Sequence, residues 1–300
     1  MQFTHPLKAG DKVALLSPAS PFADGALLQK SVGALKDIGL VPVLFESAEG
    51  AEKGYLAASD EVRARDINRA FADEEIRAVF CTRGGYGCMR ILPLLDYETA
   101  KKNPKMLIGL SDITALHLAL YHKADLSTVH APMPFRYPEL PDAAKARLFS
   151  VLFTQGEAHY TKHEGLFSIH KGCVTAPMIG GNLTLVASLA ASEYFPNTDG
   201  HILFLEEVGE EEYRIDRLMT ALKPTGVFER VAGVVFGGYT DCGREEKIRA
   251  ILADCVPAHI PTLGGFPAGH LQNNHAFFQG QTVTLDTETC TLHFSPIQRF

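Results

Sequence analysis

Three kinds of residue in this chain could together break an acyl bond: a serine at a tight turn, an acid closing an apolar strand, and a histidine after a glycine-rich turn. The serine is Ser111, inside KMLIGLSDITALHLALYHKA (105–124). Met106 to Leu110 is a short apolar run that fits a buried strand, and Ile113, Leu116, Leu120 and Tyr121 then follow at helical spacing. A serine at such a junction sits where open α/β sheets place their ligands. It is either a nucleophile or the cap of the helix behind it, since serine caps helices often. Gly109 precedes it by two residues, but Ile113 follows by two, so only half of a GxSxG elbow is present. The amide of Asp112, at the helix start, is suited to an oxyanion.

A serine needs a base, and a base needs an orienting acid. HILFL (201–205) ends at Glu206-Glu207, and an acid at the end of a buried strand must be paired. Either glutamate could orient a histidine, or could pair with Arg214 or Arg217. Among twelve histidines, His270 stands out because it follows the apolar glycine turn GGFPAG. RGGYG (83–87) is the other glycine turn after a strand. It lacks the pattern of a nucleotide loop, but Gly84 and Gly85 would let backbone amides approach an oxyanion closely. Arg83 and Tyr86 of that turn are candidate substrate contacts, Arg83 for a terminal carboxylate through its two-pronged guanidinium. No cofactor is implied. Metal ligation is not expected, because His117/His122 and His270/His275 are five apart and no HExxH occurs.

The elements that must position these residues alternate. Strands are expected at 12–17, 41–45, 76–82 and 106–110, with helices at 26–38, 60–71, 89–95 and after Ser111, which implies parallel βαβ units in a layered α/β domain. Four prolines between His130 and Pro141, then a polar stretch to about Gly172, suggest a boundary near residue 165, giving domains 1–165 and 166–300. The second half should hold a short strand at 173–179, a turn at Gly180-Gly181-Asn182, a helix at 183–191, a strand at 201–205, a helix at 213–222, a strand at 231–236 and a closing hairpin within 281–294.

Composition narrows the class. The 300 residues are 46% hydrophobic and 21% charged, as in globular proteins, with a net charge of −7. Without a block of lysine and arginine, nucleic-acid or anionic-membrane binding is not expected. No signal-like start and no run near the ~20 residues of a membrane span is present, and the six cysteines form no CxxC pair. A soluble cytoplasmic protein is expected.

Six stretches in order resemble the LD-carboxypeptidases, serine peptidases whose relatives include microcin-immunity peptidases. They are VALLSPASP (13–21), SDEVRARDINRAFADEEIRAVFCTRGGYG (59–87), LIGLSDITALHLAL with HAPM behind it, GGNLTLV (180–186), LFLEEVGEEEYRIDRLMTAL (203–222) and GFPAGHLQNN (265–274). The resemblance implies a Rossmann-like amino-terminal domain, a smaller β-rich carboxy-terminal domain, an active site between them and a cytoplasmic homodimer. It implies Ser111 as nucleophile, His270 as base and Glu206 as orienting acid, with Glu207 the alternative. The activity implied is release of D-alanine from murein tetrapeptides during wall recycling. The alternatives are cleavage of a peptidyl-nucleotide or, in another class, non-catalytic ligand binding. The chain departs from the family at Leu271, where glycine is usual, near Phe277-Phe278, where proline is usual, and at His130-Ala131-Pro132 in place of HGP. It has no tryptophan for a nucleotide pocket, which favours the murein peptide.

Overall fold

In the computed structural model, which describes residues 1–50 and 54–297, two sheets share the chain. The first half builds β1 (Lys12–Leu16), α1 (Gly25–Asp37), β2 (Val41–Leu44), α2 (Glu46–Glu49), α3 (Asp60–Ala72), β3 (Ile76–Cys81), α4 (Cys88–Ile91), α5 (Tyr97–Lys102), β4 (Met106–Gly109), α6 (Thr114–Ala124) and β5 (Val129–His130). Helices start where side chains satisfy their free amides. Asp24 caps α1 by accepting from Ala26 N–H, and Ser59 caps α3 by accepting from Val62 N–H. β1 and β3 to β5 are almost entirely buried, as strands covered on both faces must be.

The middle and second half add α7 (Asp142–Phe149), β6 (Ala158–Tyr160), β7 (Phe167–His170), β8 (Cys173–Asn182), α8 (Leu183–Leu189), β9 (Ile202–Val208), α9 (Glu212–Leu222), α10 (Val227–Arg230), β10 (Gly233–Thr240), α11 (Glu245–Cys255), β11 (Thr262–Gly264), β12 (Phe277–Phe278), β13 (Gln281–Asp286) and β14 (Thr291–Phe294). The first sheet has the order β12-β5-β4-β3-β1-β2, parallel except for β12. The second runs β6-β14-β13-β8-β9-β10-β11-β7, with parallel pairing from β8 to β11 and antiparallel edges. This is the expected layered α/β domain with a β-rich partner.

Two stretches differ from expectation. The run at 173–179 does not turn at Gly180-Gly181 but continues as a ten-residue strand to Asn182. A Cβ on Gly180 would stand 2.0 Å from Phe204 O, and one on Gly181 would stand 2.4 Å from Thr114 Oγ1, so the glycines mark close packing inside a strand. The polar stretch before 172 holds α7, β6 and β7, of which β6 lies ahead of residue 165 and pairs with β14 of the second sheet. β12, near the other end of the chain, returns to pair with β5 of the first.

The sheets meet at the helix behind Ser111. Asn182 N–H at the end of β8 donates to Thr114 Oγ1 at the start of α6, 3.0 Å. In the first sheet the connections leaving β1 and β3 run to opposite sides, so the carboxyl ends of these strands flank the topological switch point. The loop Ser17–Pro21 leaves β1 there and RGGYG leaves β3 beside it.

Candidate active site

Ser111 occupies the turn from β4 into α6 with φ +68°, a left-handed conformation that non-glycine side chains rarely adopt. It opens a single 3-10 turn, Ser111–Ile113, in which no side chain caps the amides. The cap alternative is therefore not realised. The backbone here stores strain, and strain of this kind concentrates at functional sites. Ile113 folds its side chain back over Gly109, where a Cβ would lie 2.9 Å from Ile113 Cγ1. The turn thus closes with an isoleucine where the elbow pattern has glycine.

The RGGYG turn lies directly against it. A Cβ on Gly84 would stand 2.7 Å from Ser111 Cβ, 3.0 Å from its Oγ and 3.3 Å from Asp112 N. Only glycine leaves the serine hydroxyl and the Asp112 amide uncovered. The two turns are fastened by buried polar groups. Cys88 N–H donates to the Asp112 carboxylate at 2.7 Å, and burial raises the pKa of that carboxyl. Ser20 Oγ accepts from Tyr86 N–H at 3.2 Å. Arg63, fully buried in α3, donates to the carbonyls of Pro18 and Gly87 and pairs with Asp60, drawing the two loops together.

From the other side, β9 delivers Glu206 and the 265–274 loop delivers His270. Glu206 is completely buried, and its Oε2 accepts from His270 Nδ1–H at 2.8 Å and from His270 N–H at 3.2 Å. A Cβ on Gly269, at φ +114°, would lie 2.6 Å from that same oxygen, so the loop can descend onto the carboxylate only with glycine there. Burial alone would lower the imidazole pKa, but the hydrogen bond and charge of Glu206, with the charge of Glu207, outweigh it and leave His270 above its ordinary 6.5. With Nδ1 on the carboxylate, Nε2 is the nitrogen left for the cavity.

Glu207 does something else. It accepts from Asn182 Nδ2 at 2.6 Å, Thr184 N–H at 2.9 Å, Thr184 Oγ1 at 2.7 Å and Val208 N–H at 2.9 Å, joining β9 to the start of α8. Arg214 pairs instead with Glu210 and Glu211. Alternation along the strand turns the adjacent glutamates to opposite faces.

Ser111 and His270 line one cavity of about 520 Å³, together with Gly84, Gly85 and Arg83. No hydrogen bond joins the two side chains, a looseness common before substrate binds. Its apolar wall includes Leu110, Met133, Phe135 and Val208, and its polar groups include Arg136, Thr240, Asp241 and Asn274. Arg83 also donates to Pro21 O at 2.9 Å. Tyr86 is not part of the lining. It is half-exposed and leans on Tyr55, because the turn at Gly85 and Gly87 swings it away from the serine. Sequence reasoning missed Arg136, hidden in the proline-rich loop, and Asp241, whose left-handed φ of +53° follows the carboxyl end of β10.

Residues 13–131 match the model of the LD-carboxypeptidase N-terminal domain, and residues 175–285 match that of the LD-carboxypeptidase C-terminal domain. The chain belongs to the LD-carboxypeptidase family. Like that family, it is a serine-type carboxypeptidase. It is 33% identical to a probable murein peptide carboxypeptidase of Bacillus subtilis, with 94% of this chain and 90% of the relative covered. It is 34% identical to a murein tetrapeptide carboxypeptidase of Pseudomonas aeruginosa, with 92% and 93% covered. The crystal structure of an MccF-like protein from Bacillus anthracis superposes with a TM-score of 0.90 at 26% identity, covering 99% of this LD-carboxypeptidase family member and all of the other chain. No helix among the described residues is long and apolar enough to cross a membrane.

Proposed function

We propose that this enzyme is an L,D-carboxypeptidase that releases the terminal D-alanine of murein tetrapeptides in the cytoplasm, with Ser111, His270 and Glu206 as its catalytic residues. The observation that carries the reading is the strained Ser111 turn, packed on Gly84 in one cavity with an imidazole that Glu206 holds by Nδ1. His270 Nε2 takes the proton of Ser111 as Oγ attacks the amide carbonyl between the L-centre of the diamino acid and D-alanine. The amides of Asp112 and of Gly84-Gly85 stabilise the oxyanion, for which the bare Gly84 leaves room. The imidazolium then protonates the departing amine of D-alanine, and water, deprotonated by His270, releases the acyl-enzyme. Arg83 receives the terminal carboxylate, with Arg136 at the same wall as a second cation. The assembly that accompanies this reading is a homodimer.

The substrate follows from the murein names of the two relatives, whereas the MccF-like structure keeps a peptidyl-nucleotide in contention as the second reading. The absence of tryptophan supports the murein peptide. A side-by-side assay separates them: kcat/KM on a tetrapeptide ending in a diamino acid and D-alanine should exceed that on an aminoacyl sulfamoyl adenosine by at least tenfold. The reverse order would reassign the substrate.

A further inference from the structure

Outside the cavity, at the free edge of the second sheet, three side chains converge that the catalytic reading does not use. β6 is the last strand of that sheet. Its Tyr160 turns inward against Phe266 and Phe294, so alternation turns Glu157 and His159 outward together. The antiparallel register places His293 of β14 directly opposite His159. The two imidazoles stack with centroids 4.0 Å apart and planes 7° from parallel. Nε2 of His293 lies 3.3 Å from Glu157 Oε2, and Nε2 of His159 lies 3.8 Å from the same oxygen.

Zinc holds imidazole nitrogen and carboxylate oxygen at ~2.0–2.2 Å, so neighbouring ligand atoms in a tetrahedral site stand roughly 3.3 Å apart. The two nitrogens stand 3.3 and 3.8 Å from the carboxylate oxygen, near that spacing, and the three ligand atoms lie within 4.8 Å of one another. We propose that Glu157, His159 and His293 form a binding site for a borderline divalent transition metal such as Zn²⁺, with solvent supplying the fourth ligand. Two imidazoles and one carboxylate suit zinc, nickel or copper and not the harder calcium or magnesium. A lone His–Glu pair on a surface contributes little, and one carboxylate does not call for a second imidazole stacked on the first. A shared ion gives both rings a role: each turns about χ2 out of the parallel stack so that the two lone pairs converge on one point beside Glu157. The ion would cross-link an edge strand to its neighbour, where a sheet is otherwise open to pairing with another chain. It would also brace the loop that carries His270, since Tyr160 OH bonds His275 Nδ1 at 3.0 Å and His275 N–H donates to Pro267 O at 2.7 Å.

Titration calorimetry of the full chain with zinc chloride, in a non-coordinating buffer at neutral pH, tests the site. His159→Ala, His293→Ala and the double variant should each weaken the strongest zinc site by at least about tenfold. His259→Ala, at another exposed histidine, should leave it unchanged. Zinc should raise the melting temperature of the wild type and not of the double variant, and magnesium and calcium should do neither. His293→Gln keeps a polar group on the strand and should melt like the wild type without metal, which separates ligand loss from damage to the fold. Equal zinc affinity in the wild type and double variant, or no measurable binding to either, would overturn the proposal.

Discussion

Glu206 Oε2 accepts two hydrogen bonds from one residue, His270, through Nδ1 at 2.8 Å and through the backbone amide at 3.2 Å. The second bond fixes the loop and the first fixes the ring, so a single buried carboxylate sets position, tautomer and proton affinity at once. Replacing it with glutamine should lower kcat by roughly 10³- to 10⁴-fold, the scale at which a triad fails when its histidine is held in the wrong tautomer.

The same variant should change the pH profile. In the proposed mechanism His270 acts as a base when unprotonated, and Glu206 helps hold its pKa above 6.5. The rising limb of kcat/KM should therefore lie above 6.5 in the wild type. In Glu206→Gln it should move to lower pH, since burial, which lowers the pKa, is then less opposed. Measuring residual activity across the limb checks the direction; a limb that moves upward would contradict the pairing.

Glu207→Gln should behave in the opposite sense. Its carboxylate bonds Asn182 and Thr184 and not His270, so its loss should fall mainly on stability, by about 2–4 kcal/mol for a broken buried network. Urea unfolding and kcat on the same preparations should separate the two glutamates, the adjacent residues between which the strand pattern alone cannot choose.

Gly84→Ala should place a methyl group 2.7 Å from Ser111 Cβ. The collision is with the serine and the Asp112 amide, not with the core. Activity should fall at least about a hundredfold while the fold persists, the range expected when one oxyanion donor is lost. Labelling of Ser111 by a fluorophosphonate and a thermal melt would report the two effects separately.

Acid should destabilise the enzyme before its carboxylates titrate. Burial pushes His117, which bonds Thr128 and the Gly109 carbonyl, and His275, which bonds Tyr160, each down from 6.5 to about 4. The unfolded chain binds these protons first, so stability present above 6.5 is lost as pH falls towards 4, at up to about 1.4 kcal/mol per pH unit for each group. His270 works in the other direction: its raised pKa adds stability that is full below 6.5 and is lost as pH rises through the folded value. Denaturant midpoints between neutrality and pH 4.5 should fall, and His117→Gln should flatten the slope.

The sequence carries the alternating half of this fold plainly, because β1, β3 and β4 are largely apolar runs and α3 has a helical stripe. It does not carry β6 and β7, which are three- and four-residue edge strands of mixed composition, too short to show a period and held by partners far away in sequence. Within the site, Ser111 and His270 stand out by their turns, and the glycines beside them mark close approaches that the fold later fills. Arg136 and Asp241 do not stand out, since each reaches the cavity only because loops leaving different sheets meet at it. Tyr86 shows the converse, a residue in a functional turn whose own side chain points elsewhere.

The most direct measurement is release of D-alanine from a tetrapeptide ending in L-lysine or diaminopimelate followed by D-alanine, by the wild type and by Ser111→Ala. The variant should keep the melting temperature within a few degrees and lose at least about 10³-fold in kcat/KM, the scale of removing a nucleophile. A folded Ser111→Ala enzyme that released D-alanine at the wild-type rate would contradict the mechanism.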